Sequence, residues 1–378
     1  MTRLRLGIVV PGFSAHAADW CIPVQLDLAR RLSAEADVTV FPLRYPPHRR
    51  RYAIGPIQVR PLGGGLAAGL ARLSLLRRAV AAVVAEHRRR PFDALHAMWT
   101  DEPGFVAVAA GRLLGVPVVA SLLGGELVGL RDIGYGAQLS RVNRALIAVT
   151  LRGAGRVTAG SFYLRRLAAP SVPPPRLVPL TLGVNTDRFR PHSDSPEPVA
   201  LDGKPKLLHV GSLVPVKDQA TLLRAVAHAR RNLPSLHLHI VGDGPLRAAL
   251  SQLAAQLGLA ERVTFHGAVP HERLPAWYRA ADLGVLSSRH EGQELVTLEA
   301  AACGRATVGT RVGILPDLMP PSYVAPPGDA EGLAASIGSA LNEGQSPLVE
   351  AKFDLVRTRY SLEQTCADLG EVYAALRS

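Results

Sequence analysis

Short apolar runs alternate along the chain with stretches in which apolar residues recur every three or four positions. LRLGIVV (4–10) reads as a buried strand, followed by a loop at Pro11 to Ser14. The helical spacing of IPVQLDLARRLSAEA (22–36) predicts an amphipathic helix, and DVTVFPL (37–43) a second strand. DALHAM (93–98), VPVVASL (116–122) and GRVTAG (155–160) predict further short strands separated by helical segments. The pattern restarts at PKLLHVGSL (205–213). A helix follows (218–232), then LHLHIVG (236–242), a helix (245–257), RVTFHG (262–267), a short helix (273–280) and DLGVLSS (282–288). A further helix runs to about Cys303, before ATVGT (306–310). Continuous apolar strands alternating with helices predict parallel sheets covered on both faces. Two such series predict an α/β protein of two Rossmann-like domains, residues 1–187 and 204–378. The Pro/Ser/Asp-rich segment 188–203 reads as the linker. The last helix is a candidate to pack back on the first domain. Ligands of such sheets bind beyond the carboxyl ends of the strands, which directs attention to the loops there and to a central cleft between the domains.

Composition supports this reading. The 378 residues are 48% hydrophobic and 20% charged, enough for full cores and too apolar for a disordered chain. Cys21, Cys303 and Cys366 are far apart, so no disulfide framework or cysteine zinc site is expected, and a reducing compartment fits. No apolar run precedes a cleavage site near Met1, giving the expectation of no secretory signal. Arg112 and Glu126 interrupt the longest apolar region, so no membrane span is expected.

Charge is distributed unevenly. Residues 1–190 hold 26 arginines, no lysine and 11 acids, a net of +15, whereas residues 191–378 carry a net of −3. A basic half suggests an anionic partner such as a membrane surface, a nucleic acid or a phosphorylated acceptor. Part of it lies in 63–90, where Leu66, Leu70, Leu73, Val80 and Val84 have the spacing of a buried helical stripe beside Arg72, Arg77, Arg78 and Arg88 to Arg90. Arg49 to Arg51 lie nearby in sequence.

Several catalytic signatures are missing. There is no GxxxxGK[ST] loop, no HExxH, no G-x-S-x-G elbow and no Asp-x-Asp pair, and no metal cluster is expected. VGDGPLR (241–247) offers Gly242 and Gly244 between a strand and a helix, but Arg247 replaces the third glycine of a dinucleotide fingerprint. The most informative segment is SSRHEGQELVTLEAAACG (287–304). It follows a strand, so it lies at a carboxyl end. Glu291 and Glu299 are eight residues apart, with a helix start near Glu294 between them. Free amides at 293–296 can hold a phosphate oxygen with the aid of the helix dipole. A carboxylate can accept from the vicinal hydroxyls of a ribose. Amides for phosphate beside a carboxylate for sugar describe a nucleotide-sugar site.

Glu291-x7-Glu299, followed by LEAAACGRATVGT and VGILPD, resembles the family 4 glycosyltransferases, retaining enzymes of GT-B architecture. HVGSLVPVKDQATLLRA (209–225), VGDGPLRAAL (241–250), RVTFHGAVPHERLPAWYRAADLGVLSS (262–288) and LGVNTDRFRP (182–191) continue the resemblance over nearly the whole chain. It implies that Glu299 holds the donor ribose and that Glu291 contacts the donor sugar near the reacting centre. The amides of Gln293, Glu294, Leu295 and Val296 would meet sugar and diphosphate. Lys217 would bind the diphosphate, and Gly12 would approach the phosphates, with Gly242 a further candidate for binding the nucleotide. Ser212 stands where the family has a phosphate-binding Arg, Glu294 where a Gly is common, and Leu123, in SLLGGEL (121–127), where a His often lies over the sugar. Glu294 would thereby add a carboxylate near the donor sugar. Glu126 is the nearest acid to Leu123 and a candidate contact to donor or acceptor, and His96 a candidate for the acceptor.

The function implied is retaining transfer of a sugar from a UDP-, GDP- or ADP-sugar to an acceptor hydroxyl in glycolipid, cell-envelope or polysaccharide synthesis. No metal or other cofactor would be required. The acceptor would be lipid-linked or a saccharide, the partner surface an anionic membrane rather than nucleic acid, and the location the cytoplasm, at the inner membrane face. A nucleotide-sugar epimerase of the same architecture, or a degenerate nucleotide-sugar-binding subunit, is the alternative.

Overall fold

The computed structural model describes residues 3–19, 21–192, 199–343 and 346–376. The chain divides into two compact units: Met1–Leu182 with Leu362–Ser378, and Gly183–Ser361. Residues 193–198 of the expected linker lie outside the described residues, and Phe189, within that linker, is fully buried in the core of the second unit.

The first unit contains β1 (Leu4–Gly12), β2 (Ala36–Tyr45), β3 (Tyr52–Ile54), β4 (Ile57–Val59), β5 (Ala94–Met98), β6 (Val118–Leu122), β7 (Arg156–Ala159) and β8 (Leu177–Pro179). They form one sheet in the order β3-β4-β2-β1-β5-β6-β7-β8. Every pairing is parallel except the β3–β4 hairpin at the edge. β1, β5 and β6 are buried almost throughout, as strands covered on both faces must be. Helix Glu102–Leu114 supplies Val106, Ala107 and Ala110 to this core and stops at Gly115, whose φ of 68° suits a left-handed C-cap. Ser140 and Ser161 cap the helices Arg141–Gly153 and Phe162–Ala168 by accepting from Asn143 N and Leu164 N.

The helix expected within 63–90 forms as Gly69–Arg89, turned so that of the expected stripe only Val80 and Val84 pack against the core, both half-buried. Leu75, Leu76, Ala79 and Val83 are buried, whereas Leu66 and Leu70 are 99% and 86% exposed and Leu73 is 45% exposed. The stripe through Leu70, Leu73, Val80 and Val84 lies about a third of a turn round from the buried one. In a helix this rich in Ala, Leu and Val, two apolar stripes coexist and spacing alone does not choose between them. Leu66 precedes the helix altogether.

The second unit holds β9 (Lys206–Val210), β10 (His237–Val241), β11 (Val263–Gly267), β12 (Leu283–Leu286), β13 (Thr307–Thr310) and β14 (Val324–Ala325). All pair in parallel, in the order β11-β10-β9-β12-β13-β14. Its core includes Leu222 and Val226 of helix Gln219–Ala229 and Leu298 of helix Leu295–Ala302.

Candidate active site

The second sheet reverses direction at β9. The chain steps outward to β10 and β11, then returns to the other side of β9 for β12, β13 and β14. The crevice at such a reversal, beyond the carboxyl ends, is where open α/β sheets bind ligands. The loops leaving β9 (211–218) and β12 (287–294) flank it, and they are tied together. Ser287 Oγ donates to Lys217 O at 2.8 Å, and Arg289 N donates to Val216 O at 2.8 Å.

Lys217 ends a 3-10 turn, Pro215–Lys217, and Asp218 follows in the left-handed region at φ 45°. Asp218 caps the next helix, accepting from Thr221 N at 3.3 Å and from Thr221 Oγ1 at 2.8 Å, which offsets its backbone strain. The turn directs Lys217 Nζ to Glu291 Oε1 at 2.5 Å, and the same oxygen accepts from Ser288 Oγ at 2.6 Å. Two expected residues from different loops are thus joined at the reversal. Two cationic donor hydrogens of Lys217 remain for another anion. Gly242, at φ 137°, and Gly244 support this arrangement from beneath. A Cβ on Gly242 would lie 2.0 Å from Gly211 O, and one on Gly244 would lie 2.6 Å from Leu213 O. Both glycines therefore allow the 241–244 turn to pack against the Lys217 loop. Ser212 is exposed on that loop, and its carbonyl accepts from Gln219 Nε2 at 2.9 Å.

Helix Leu295–Ala302 begins at this loop with Glu294 at its N-cap, and the Glu294 side chain does not cap it. The Glu294 carboxylate instead accepts from Ile314 N at 2.9 Å and Leu315 N at 2.7 Å and is 3% exposed. The carboxylate is thus bonded to the loop after β13. Burial, followed by the charge of Glu291, pushes its pKa up to about 8 against the pull of the two amides. Gly313, at φ 59°, makes the contact possible, since a Cβ there would fall 1.7 Å from Glu294 Oε2. The amides of Leu295 and Val296 occupy the first turn, where helix donors lack intrahelical acceptors.

Glu299, one turn further along the helix, is 4% exposed. Its Oε1 accepts from His271 Nε2 at 2.7 Å and its Oε2 from Tyr278 Oη at 2.8 Å. Phe189 packs against both of these rings, with centroids 5.2 and 6.1 Å away. Each carboxylate oxygen keeps a second lone pair for a ligand hydroxyl. His271 and Tyr278 escaped the sequence reading because they lie 28 and 21 residues upstream, although AWYRAAD is one of the segments carrying the resemblance.

The loops of the first sheet are built differently. Gly12 ends β1 where a Cβ would stand 3.3 Å from Tyr45 Cβ, so its small size lets β2 approach. Glu126 lies in a 3-10 turn, Gly125–Leu127, and is 2% exposed. Its carboxylate accepts from Leu123 N at 3.0 Å and Gly124 N at 2.6 Å. Burial pushes its pKa up to about 7, with the Asp101 charge adding to the rise and the amide bonds opposing it. Trp99, just after β5, holds a strained φ of 74°. His96 is fully buried inside β5. Its Nδ1 is 2.7 Å from Tyr373 Oη and its Nε2 2.7 Å from Ser121 Oγ, which in turn is 2.7 Å from Thr158 Oγ1. Burial lowers its pKa to about 4. His96 is therefore a neutral core residue with both ring nitrogens engaged by Tyr373 and Ser121. Among the described residues no group of three His, Cys, Asp or Glu side chains could hold a metal ion.

Comparison with known proteins agrees with this geometry. The family described as "Glycosyl transferases group 1" matches residues 204–343, and "Glycosyl transferase 4-like domain" matches residues 22–183. A GDP-mannose-dependent alpha-(1-6)-phosphatidylinositol monomannoside mannosyltransferase of Mycolicibacterium smegmatis is 39% identical over 173 residues, 43% of this chain and 45% of that protein. Its counterpart in Mycobacterium tuberculosis is 32% identical over 62% of this chain and 61% of its own length. The match thus spans about half the length of these curated relatives. A D-inositol 3-phosphate glycosyltransferase of Streptomyces scabiei is 31% identical over 328 residues, 77% of this chain and 71% of the relative. Among solved structures, sucrose-phosphate synthase of Thermosynechococcus elongatus superposes with a TM-score of 0.80 at 23% identity, over 99% of both chains. From the matched families, the extended similarity to the Streptomyces scabiei protein and this shared architecture, we conclude that the chain belongs to the family 4 glycosyltransferases and has the GT-B fold.

Proposed function

We propose that the protein transfers a glycosyl group from a nucleotide-sugar donor to an acceptor hydroxyl with retention of anomeric configuration. The observation that carries this reading is the Lys217–Glu291 pair at the β9/β12 reversal, beside a helix start that its own N-cap side chain leaves open. In the proposed reaction the bond from the anomeric carbon to the diphosphate oxygen breaks. The acceptor oxygen bonds to that carbon from the same face, and its proton passes to the leaving phosphate. Lys217 and the backbone amides of 293–296, at and just before the helix start, stabilise the charge that develops on the diphosphate, which requires no divalent metal. Glu291 orients Lys217 and contacts the sugar, and Glu299 holds the ribose. Glu126 shapes the loop around Leu123 instead of acting as an acid.

The second unit holds the donor and the first supplies the acceptor contacts. A guanine nucleotide of mannose is the preferred candidate donor, because the mannosyltransferase relatives are named for it. An acceptor containing an inositol phosphate or phosphatidylinositol unit is favoured, because the names of both kinds of relative carry one. Among the described residues no helix is long and apolar enough to cross a membrane. The exposed Leu66, Leu70 and Leu73, with Arg77 close by on the same helix, support peripheral docking on an anionic bilayer instead.

The test is a thermal-shift panel of nucleoside diphosphates and nucleotide sugars, followed by a transfer assay with inositol phosphate and phosphatidylinositol vesicles in EDTA. A true donor raises apparent stability by about 2.7 kcal/mol at a hundred times its Kd. Transfer with retention in EDTA is expected. Conversion or hydrolysis of the donor without transfer to any acceptor would overturn the reading. Leu66→Ser/Leu70→Ser should reduce sedimentation with anionic vesicles while sparing transfer to a soluble acceptor.

A further inference from the structure

The mechanism leaves unused a concentration of arginines at the β3–β4 edge of the first sheet. Two adjoining hollows, of about 200 and 300 Å³, share Arg60 and Glu86. Arg49, Arg51, Arg60 and Arg89 line the first hollow. Arg3, Arg5, Arg60 and Arg90 line the second. Seven guanidinium groups thus face two carboxylates, Glu86 and Asp37.

The carboxylates are already committed. Glu86 accepts from Arg5 at 3.0 Å and from Arg60 at 3.3 Å. Asp37 pairs with Arg90 at 2.7 Å and lies 3.8 Å from Arg3. Arg49, Arg51 and Arg89 have no ion-pair partner among the described residues. Arg5 is 7% exposed, its guanidinium lies 4.5 Å from the Phe92 ring centroid, and its Nη1 is buried without a hydrogen-bond partner. A buried donor without an acceptor is costly, and an excess of like charge around a concavity adds to that cost. An anion relieves both.

From this convergence we propose that the paired hollows bind an anion carrying two or more phosphate groups. The planar fork of arginine suits bidentate phosphate contacts, and two adjoining hollows of the same sign suit more than one phosphate. Arg3, Arg5 and Asp37 lie at the beginnings of β1 and β2, so the second hollow is at the opposite end of those strands from the loops that follow β1, β5 and β6, and the first extends from it along β2 and β4. The phosphates would come from a free polyphosphorylated metabolite or from the headgroup of a phosphorylated lipid, which share this chemistry.

Calorimetry with inositol hexakisphosphate as probe tests the proposal at low and high salt. It is run on the full chain carrying Lys217→Ala, so that the diphosphate position of the donor site does not contribute. Saturable binding at low salt that weakens as salt rises is expected. Arg49→Ser/Arg51→Ser/Arg89→Ser, three exposed and unpaired positions, should weaken it at least tenfold with unaltered circular dichroism. Arg77→Ser/Arg88→Ser/Arg144→Ser removes the same charge elsewhere on the unit and should change it less than twofold. Absence of binding to the parent, or equal loss in the two triple variants, overturns the site. A parallel sedimentation with phosphatidylcholine vesicles, with and without phosphatidylinositol bisphosphate, separates the sources. Capture through the same three arginines assigns a lipid headgroup, and soluble binding without capture assigns a free metabolite.

Discussion

The two sheets follow the same plan, and each reverses strand order at its first strand, yet the loops beyond those strands solve opposite electrostatic problems. At β9 and β12 a lysine and a glutamate from separate loops meet at 2.5 Å, and the glutamate is further held by Ser288. In the loop after β6, the carboxylate of Glu126 meets no cation among the described residues. It is folded back on the amides of its own turn, at 3.0 and 2.6 Å. The first arrangement presents a charge that a diphosphate can take over, since Lys217 retains unused donor hydrogens. The second fixes a backbone path and shields its own charge. Leu123 enters that turn through its backbone amide, so the turn does not depend on the chemistry of its side chain.

Breaking the cation is the most severe test of this contrast. Lys217→Ala should lower kcat by about 10²- to 10³-fold, the usual cost of removing one donor to a developing anion. Added divalent metal should not restore it. Steady-state kinetics in the preferred donor, with stability checked by thermal melts, measure this. A loss confined to KM would place Lys217 in ground-state binding alone.

Next in size is the ribose contact. Glu299→Gln should weaken nucleotide affinity about tenfold or more, as expected for a hydrogen bond to a charged group of roughly 1.5–3 kcal/mol. Its preference for ribonucleotides over 2′,3′-dideoxynucleotides should collapse at the same time. Tyr278→Phe leaves Glu299 Oε2 without its 2.8 Å donor and should reduce that preference in part. Calorimetry showing unchanged discrimination in Glu299→Gln would remove Glu299 from the site.

The parts of this contrast that were legible in the sequence are those written in local pattern. Parallel strands appear as unbroken apolar runs, and the Glu291-x7-Glu299 spacing with its following helix is contiguous. The destination of a side chain is not contiguous. Glu294 sits inside the motif but reaches residues 314 and 315, because Gly313 leaves room for its carboxylate. His96 lies within an apolar run near a loop, yet its partners are on β6 and on the helix Leu362–Ala374. The β3–β4 hairpin was silent because its strands have three residues each, too few for a period-two signal. The helix Gly69–Arg89 misled for the opposite reason, an excess of apolar positions offering two faces.

A pH-dependent effect on stability sharpens the other side of the comparison, the loop of the first sheet. Burial holds the Glu126 pKa near 7, above its ordinary value of 4.5. The folded state therefore binds this proton more tightly than the unfolded chain does. Stability from this group is fully present below the unfolded pKa and declines as pH rises towards 7, by no more than about 1.4 kcal/mol per pH unit. Glu126→Gln cannot titrate. Its amide retains one acceptor for the Leu123 and Gly124 amides, so the turn survives with one hydrogen bond fewer. Denaturant unfolding between pH 5 and 8 should show the wild type losing stability relative to Glu126→Gln across the window from 4.5 to 7, with parallel behaviour above it. Glu294, raised to about 8, contributes the same sign over a higher range and is present in both proteins, so it cancels in the difference. A difference that stays flat with pH would mean that Glu126 is ionised throughout, its two amide bonds outweighing burial. The loop would then carry a full charge, and the contrast with the Lys217–Glu291 side would be one of partners, not of charge.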